Sequence, residues 1–313
     1  MRVRAQVSAN QEPYLASLRA EIDEIGDQAE RDRIVVQLTS RLSGRSNAGG
    51  TPGGPLVVAV HGGTYSSAYF DLPGRSLLNR AAANGIAAVA IDRPGYCTSP
   101  MLVADEMDLF GQAALLRDAL GEIWERFGKD SKGVVLIGHS IGAAIATIVA
   151  ASDPEWPLLG LAVSGVGLRT NPGDHERWQA LPDVPLVTMP DEVKDQVMFG
   201  PAGSFAADMP AASHPAGASA PKAELLSITS AWEPAAADIL GRVAVPVHYR
   251  QAEFDRLWIV DQGEVDRFTA ALCRSPLVDA RPVEGVGHCI DFHRIGPAFQ
   301  LQQLGFALEC AAR

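Results

Sequence analysis

Residues 134–142, VVLIGHSIG, indicate both the fold class and the chemistry of this chain. Four apolar residues, typical of a buried strand, run directly into Gly138-His139-Ser140-Ile141-Gly142, and the AAIA that follows favours a helix. Strand, G-x-S-x-G and helix in this order predict a tight turn that exposes the Ser140 hydroxyl at the carboxyl end of a sheet. Side chains at positions 138 and 142 would collide with neighbouring backbone in such a turn.

Apolar runs alternate with amphipathic stretches on both sides of this segment. Strands are predicted at 55–60, 87–91, 133–137, 158–163, 245–249 and 278–283, with an earlier one within 34–42. Helices are predicted at 73–84, 107–127, 141–152, 261–273 and 295–311, and the Gly-rich residues 45–54 predict a surface loop. This order predicts an α/β fold with a mostly parallel, doubly wound sheet.

Residues 169–237 interrupt the alternation, and the part at 201–221 is dense in Pro, Ala, Gly and Ser. A long irregular insertion in a compact domain is usually a functional cover or a disordered linker. A lid is the favoured interpretation because the segment carries apolar side chains that a linker lacks: Trp178, Leu181, Val184, Val187, Met198 and Phe205. The predicted organisation is a core of residues 1–168 and 238–313 with a lid at 169–237.

Composition and charge indicate where the protein is located and which binding partners are disfavoured. The formal charge of −11 over 313 residues disfavours binding to nucleic acid or to an anionic membrane surface. The N-terminal residues lack the apolar core of a secretory signal, and no apolar run has the length of a membrane helix. Four cysteines without a CxxC pair indicate neither a zinc site nor a disulfide scaffold. We therefore expect a cytoplasmic protein that uses no metal and no cofactor.

A second strand followed by glycines, VVAVHGGT at 57–64, suits the stabilisation of negative charge. A reaction at a carbonyl needs two preorganised donors where charge develops on the oxygen, and backbone amides supply them without rearrangement. We expect one donor to be the amide of Ile141 and the other that of Gly63, with Thr64 as the less favoured alternative. His61 is interpreted as a structural residue beneath this loop.

Four motifs together resemble the α/β-hydrolase superfamily: His61-Gly62-Gly63, Asp92-Arg93-Pro94-Gly95-Tyr96, Gly138-His139-Ser140-Ile141-Gly142 and Gly287-His288. The resemblance covers the chain from about residue 55 to its end, without the predicted lid. It implies a catalytic triad in the order Ser, acid, His. His288, after the last predicted strand, is the expected base that activates Ser140, whereas His248 and His293 are interpreted as structural.

The acid of the triad has two candidates after the strand at 245–249. The superfamily pattern of Gly, a charged residue and, two positions further on, the triad Asp maps onto Ala252-Glu253-Phe254-Asp255 with Ala in place of Gly. The resemblance therefore favours Asp255, with Glu253 as the alternative. Asp291 lies too close to His288 along the chain to be preferred.

Two cysteines flank the resembling motifs. Cys97 stands where the superfamily often has Gly, and Cys289 directly follows the expected base. Two free thiols and a Cys97–Cys289 disulfide both remain open. The turn at 92–96 is interpreted as structural.

The leading hypothesis is hydrolysis of an ester, thioester or lactone through an acyl-Ser140 intermediate. The resemblance also allows a C–C bond hydrolase or lyase, an acyltransferase or cyclase, and a non-catalytic ligand-binding relative. The predicted lid is rich in Pro, Ala, Met, Phe and Trp, which favours a medium-sized, largely apolar acyl substrate. The resemblance also allows a substrate that is bound to a carrier protein.

Overall fold

The protein is described by a computed structural model that covers residues 36–39, 42–47 and 49–313. Its strands are β1 (Val36–Gln37), β2 (Ser43–Ser46), β3 (Leu56–Val60), β4 (Ala87–Ile91), β5 (Val134–His139), β6 (Leu158–Ser164), β7 (Leu186–Val187), β8 (Ala220–Pro221), β9 (Val247–Ala252) and β10 (Val278–Val283). Its α-helices are α1 (Leu77–Ala83), α2 (Leu109–Phe127), α3 (Ile141–Ala150), α4 (Asp174–Gln179), α5 (Asp191–Met198), α6 (Met209–Ser213), α7 (Lys222–Ser227), α8 (Glu233–Leu240), α9 (Gln262–Ala271) and α10 (Gly296–Ala312).

Eight strands form one sheet in the order β1-β2-β4-β3-β5-β6-β9-β10. The six from β4 to β10 are parallel, and β1 and β2 add an antiparallel edge. Every residue of β3 and β5 is buried, as expected for central parallel strands covered on both faces. The predicted α/β class and the mostly parallel, doubly wound sheet are confirmed.

Helices cover both faces of the sheet. One face packs against α2, α3, α8 and α9, with Leu120, Ile145 and Phe268 in its core. The other face packs against α1 and α10, through residues such as Leu78 and Phe306. Parallel strands require such crossover helices, because each chain connection must return to the opposite end of the sheet. The carboxyl ends of β3, β5, β6 and β9 therefore lie along one edge.

The N-terminal edge differs from the prediction. Arg45 and Ser46, expected in a loop, belong to β2 and pair with Ala90 and Val89 of β4. An unpaired β4 would leave a row of free backbone groups, and β2 satisfies them. Among the described residues of the predicted strand at 34–42, Val36–Gln37 alone form a strand, and the amide of Leu38 donates to the carbonyl of Leu42 at 2.9 Å in a turn. Residues 34, 35, 40 and 41 lie outside the described part of the chain, as does the N-terminal stretch judged for a secretory signal.

The insertion between β6 and β9 is more regular than its composition indicated. The stretch at 201–221 contains α6 and a 3₁₀ turn at His214–Ala216, so the expectation of an irregular segment holds for residues 201–208 but not for residues 209–216. Pro210 and Pro215 stand in the first turns of these elements, where a missing N–H leaves no hydrogen bond unmade. Helix α8 continues through the predicted boundary at Ala237. None of the helices described is both long and apolar enough to cross a membrane.

Candidate active site

Ser140 lies at the sharp turn between β5 and α3. Its φ of 56° and ψ of −127° are strained for a residue with a side chain. The turn is held by hydrogen bonds from the Ser140 amide to the Ser164 carbonyl and from the Ala143 amide to the Ser140 carbonyl, both 2.8 Å. A Cβ at Gly142 would lie 2.2 Å from the carbonyl oxygen of His61. Glycine at 142 therefore lets the elbow approach the loop after β3.

Asp255 and His288 contact each other through their side chains. Asp255 Oδ2 lies 2.7 Å from His288 Nδ1, and the side chains are 0% and 1% exposed. The same carboxylate accepts hydrogen bonds from Gln251 Nε2 at 3.0 Å and from the Leu257 amide at 2.9 Å. These donors orient the carboxylate toward the imidazole. The sequence analysis did not single out Gln251, because its role depends on the turn of the chain after β9.

The second ring nitrogen of His288 faces the opposite way. Among the described residues, His288 Nε2 is buried and has no hydrogen-bond partner. With Nδ1 as the donor to Asp255, Nε2 carries the lone pair that a general base requires. The ring lies 4.8 Å, centroid to centroid, from that of His139, the residue before Ser140. Catalytic hydrogen bonds often form only when substrate is bound, so an unpartnered Nε2 suits a free enzyme.

Backbone amides beside Ser140 are available to an oxyanion. In the described part of the chain, no hydrogen bond engages the amides of Gly63 and Ile141. Arg93 donates to the carbonyls of His61 at 2.9 Å and of Gly62 at 3.1 Å. In a trans peptide the N–H points away from the C=O, so the Gly63 N–H is directed away from Arg93. The amide of Thr64 instead faces the Tyr96 hydroxyl, whose pKa it lowers against the raising effects of burial and Glu224.

A buried ion pair behind this loop was not anticipated. Arg93 and Glu224 are both 0% exposed, and Glu224 lies on α7 of the insertion. The Arg93 guanidinium donates to Glu224 Oε2 at 2.6 Å and to Oε1 at 3.1 Å. Gln112 Nε2 donates to Oε2 at 2.8 Å, and the Tyr96 hydroxyl also donates to the carboxylate. Arg93 thus joins the insertion to the loop that carries Gly63.

The surrounding charges keep Arg93 protonated. Burial alone would lower the pKa of Arg93, but Glu224 and Tyr96 together outweigh burial through their charges and hydrogen bonds, so the pKa of the guanidinium is raised. Burial raises the pKa of Tyr96 well above its usual value, and the charge of Glu224 adds to the effect. The Tyr96 hydroxyl therefore stays protonated and serves as a donor. The motif at 92–96 includes Arg93, but the sequence did not predict its ion-pair partner. Glu224 lies 131 residues further along the chain, in a segment without a motif.

Removing the Glu224 carboxylate should destabilise the protein strongly. We expect Glu224→Leu to lower the free energy of unfolding by about 3–5 kcal/mol, because it leaves the Arg93 charge buried and unpaired. Urea denaturation measures the change, with the exposed Glu192→Leu on α5 as the control, expected within about 0.5 kcal/mol of the parent. The double variant Arg93→Met/Glu224→Leu should recover much of the loss. An unchanged midpoint for Glu224→Leu would show that the pair contributes nothing.

Glu253 lies apart from His288. It is exposed, and its Oε2 accepts a hydrogen bond from the Gly285 amide at 2.7 Å, which ties the loop after β9 to the loop after β10. The Asp291 carboxylate is likewise bound elsewhere. It accepts hydrogen bonds from the Tyr69 hydroxyl at 2.9 Å and from Gln300 Nε2 at 2.8 Å. Neither acid contacts the His288 ring.

Of the other histidines weighed in the sequence, His61 and His293 have hydrogen-bond partners within the fold, whereas both ring nitrogens of His248 are buried without one among the described residues. His61 Nδ1 lies 2.8 Å from the Gly62 carbonyl oxygen, and its Nε2 accepts from the Arg93 amide at 3.1 Å. Burial lowers the pKa of His61 well below its usual value, and the charge of Arg93 lowers it further. His293 Nε2 accepts from the amides of Gly200 and Gly287, both at 3.0 Å. His248 is packed near Phe299 and Phe306.

All four cysteines are free. Cys97 is exposed and Cys289 is buried, so the alternative of a disulfide between them is not found. Burial raises the pKa of the Cys289 thiol well above its usual value, and the nearby Asp291 adds to the effect. A protonated, buried thiol is a poor nucleophile, so Cys289 is expected to be inert.

Ser140 opens into a cleft between the sheet edge and the insertion. The cleft contains about 650 Å³ of empty space, part of it open to solvent. Its walls are mainly apolar and combine the two predicted oxyanion donors with side chains of the insertion, among them Trp178, Val197, Met198, Leu225 and Ile228. Within the described residues, no three His, Cys, Asp or Glu side chains cluster in a way that could hold a metal ion.

Comparison with known proteins identifies the family. The sequence profile of the alpha/beta hydrolase family matches residues 57–294, so the chain belongs to this family. No curated protein sequence matches the chain significantly.

Solved structures share the fold at low sequence identity. A monoacylglycerol lipase from Paleococcus ferrophilus has a TM-score of 0.65 and 17% identity, covering 86% of this chain and 99% of its own. A thermophilic esterase from Thermogutta terrifontis has a TM-score of 0.61 and 18% identity, covering 85% and 94%. A thioesterase domain from the curacin biosynthetic pathway has a TM-score of 0.59 and 16% identity, covering 86% and 97%.

Proposed function

We propose that the protein is a serine hydrolase that cleaves an ester, thioester or lactone through an acyl-Ser140 intermediate. The observation that carries the proposal is Ser140, held at a positive φ in an apolar cleft, together with a buried His288 that pairs with Asp255 and leaves Nε2 free. Similarity of the fold to a lipase, an esterase and a thioesterase is consistent with acyl chemistry.

The proposed reaction has two halves. His288 Nε2 takes the proton of Ser140 as Oγ bonds to the carbonyl carbon, and the amides of Gly63 and Ile141 bind the oxygen that becomes negative. The imidazolium then protonates the leaving alkoxide or thiolate as its bond to carbon breaks. Water repeats the sequence on the acyl-enzyme and releases the acid. Asp255 holds the tautomer that presents Nε2 and stabilises the imidazolium.

We propose residues 169–237 as the lid over a core formed by residues 1–168 and 238–313. Support comes from the side chains of α4, α5 and α7 that form a wall of the cleft, whereas the proposed triad lies wholly on the core. The wall favours a substrate with a medium-sized apolar portion. An acyl group delivered by a carrier protein and a cytoplasmic location stay predictions from the sequence.

A fluorophosphonate probe tests the mechanism without knowledge of the natural substrate. We expect covalent addition to Ser140, mapped by mass spectrometry to the peptide that contains it, because an activated hydroxyl attacks the tetrahedral phosphorus. A panel of aryl esters, acyl thioesters and lactones should then show turnover that the probe abolishes. Labelling of another serine with Ser140 untouched would overturn the proposal.

A further inference from the structure

A lysine is buried in the wall of the Ser140 cleft. The side chain of Lys194, on α5 of the insertion, is only 4% exposed, yet it lines the same cleft as Ser140 and Gly63. Lysine is almost never fully buried unless it is paired, because an ammonium loses its hydration. A largely apolar cleft therefore contains a lysine side chain that is held out of solvent.

Lys194 is only partly compensated by its neighbours. Its Nζ lies 3.2 Å from Asp191 Oδ1, but Asp191 is 47% exposed and therefore screened by water. Asp191 also contacts His214 at 3.4 Å, and Asp195 contacts the same histidine at 3.0 Å. An ammonium has three N–H donors, and among the described residues Asp191 is the one carboxylate that forms an ion pair with Nζ.

The surrounding structure holds the ammonium in place. Nζ lies 4.8 Å from the centroid of the Tyr65 ring, a favourable cation–π geometry. A Cβ at Gly217 would lie 2.5 Å from Nζ, so the absence of a side chain there makes room for the charge. Gly217 is in turn bridged to Tyr65 through the backbone. Lys194 is thus built into the wall and does not project from it.

A second polar group without a partner lines the same part of the cleft. Among the described residues, the Thr64 hydroxyl is buried and makes no hydrogen bond, and Thr64 lines both this cleft and the adjoining one that Lys194 also borders. Its φ of 63° is strained for a threonine, and such strain is typical of ligand-binding positions. Thr64 directly follows Gly63, the proposed oxyanion donor.

We propose that Lys194 and Thr64 form a subsite for a carboxylate on the substrate, so that the preferred ester carries an anionic group near the scissile bond. The inference rests on the proposed ester hydrolysis and names its substrate class. A carboxylate fits because it compensates a single ammonium and accepts from a hydroxyl as well. A phosphate dianion would require more donors. The other charged residue lining the cleft among those described, Asp174, already pairs with Arg177.

Binding to a Ser140→Ala background separates recognition from turnover. Calorimetry compares monomethyl esters of dicarboxylic acids from malonate to adipate, and acetylated hydroxy acids, with their fully methylated counterparts. We expect at least one free carboxylate to bind about tenfold more tightly than its neutral ester, the order of one charge-assisted hydrogen bond. Adding Lys194→Met or Lys194→Gln should remove this preference. Lys222→Met is the matched control and should keep it, because Lys222 donates to the Leu181 carbonyl outside the cleft.

Each outcome decides one of the two proposals. No preference for any carboxylate, a preference that survives both Lys194 variants in folded protein, or tighter binding of inorganic phosphate than of every monoester would overturn the subsite. If the parent chain hydrolyses no ester but still binds a carboxylate more tightly than its neutral ester, ester hydrolysis is overturned and the carboxylate subsite stands. Melting temperatures close to that of the parent show that the variants are folded, as expected because Asp191, the carboxylate left without its partner, is 47% exposed to water.

Discussion

Ser140→Ala is expected to lower kcat by about 10⁶-fold, the loss seen when the nucleophile of a serine protease is removed. The reason is that the variant lacks the oxygen of the proposed acyl-enzyme, while the cleft and the amides of Gly63 and Ile141 remain. Binding of a substrate analogue should therefore persist. Steady-state hydrolysis of an aryl ester measures the change, and active-site titration with the fluorophosphonate corrects for any contaminating wild-type enzyme.

Ser164→Ala supplies the matched control. Ser164 is also buried, and its hydroxyl lies 3.4 Å from His139 Nδ1, one strand away from Ser140. Removing this hydroxyl should change kcat by less than about tenfold, since it makes one weak hydrogen bond. Comparable rates in Ser140→Ala and the parent, with both proteins folded, would refute a mechanism through an acyl-serine.

Asp255→Asn is expected to lower kcat by about 10⁴-fold at neutral pH, the loss known for the same change in a serine protease. The amide nearly preserves the shape of the carboxylate but can donate to His288 Nδ1, which turns the proton-bearing Nε2 toward Ser140. It also removes the charge that stabilises the imidazolium. Initial rates on one ester across a range of pH measure the effect.

Glu253→Gln is the comparison that makes this test sharp. Glu253 is exposed and accepts from the Gly285 amide, and glutamine retains an acceptor there. We expect its kcat within about tenfold of the parent, as for other surface changes of small energy. A large loss of kcat in Glu253→Gln together with a nearly normal kcat in Asp255→Asn would reverse the assignment of the acid. Both variants should melt near the temperature of the parent for the comparison to count.

The sequence predicted the parallel strands well because they are central and covered on both faces, which gives short, fully apolar runs. All six predicted parallel strands are present; two have the predicted bounds, and the ends of the other four differ by at most three residues. The edge strand β2, SGRS, has no such pattern, because its contribution is backbone pairing with β4. Local composition also misjudged the stretch at 201–221. Pro210 and Pro215 stand in the first turns of α6 and of the 3₁₀ turn, where proline is compatible with a helix.

Candidate site residues were predictable where a motif fixes the backbone. Ser140 and the loop at 61–64 follow buried strands directly, so their positions at the sheet edge come from local pattern alone. Glu224 and Lys194 had no such signal, since each acts through a partner distant in the chain or through burial that only the folded insertion creates. Even Asp255 depended on resemblance, because two carboxylates lie in one short loop.

The Arg93–Glu224 pair limits which parts of the chain can be deleted. A minimal enzyme made by deleting residues 169–237 would lose Glu224 and strand a guanidinium beneath the loop that carries Gly63. Such a truncation would therefore not yield a smaller, more open catalyst unless Arg93 were replaced as well. On this account the insertion and the rest of the chain form one cooperative unit, and replacing the insertion by another sequence would require an acidic residue at the position of Glu224.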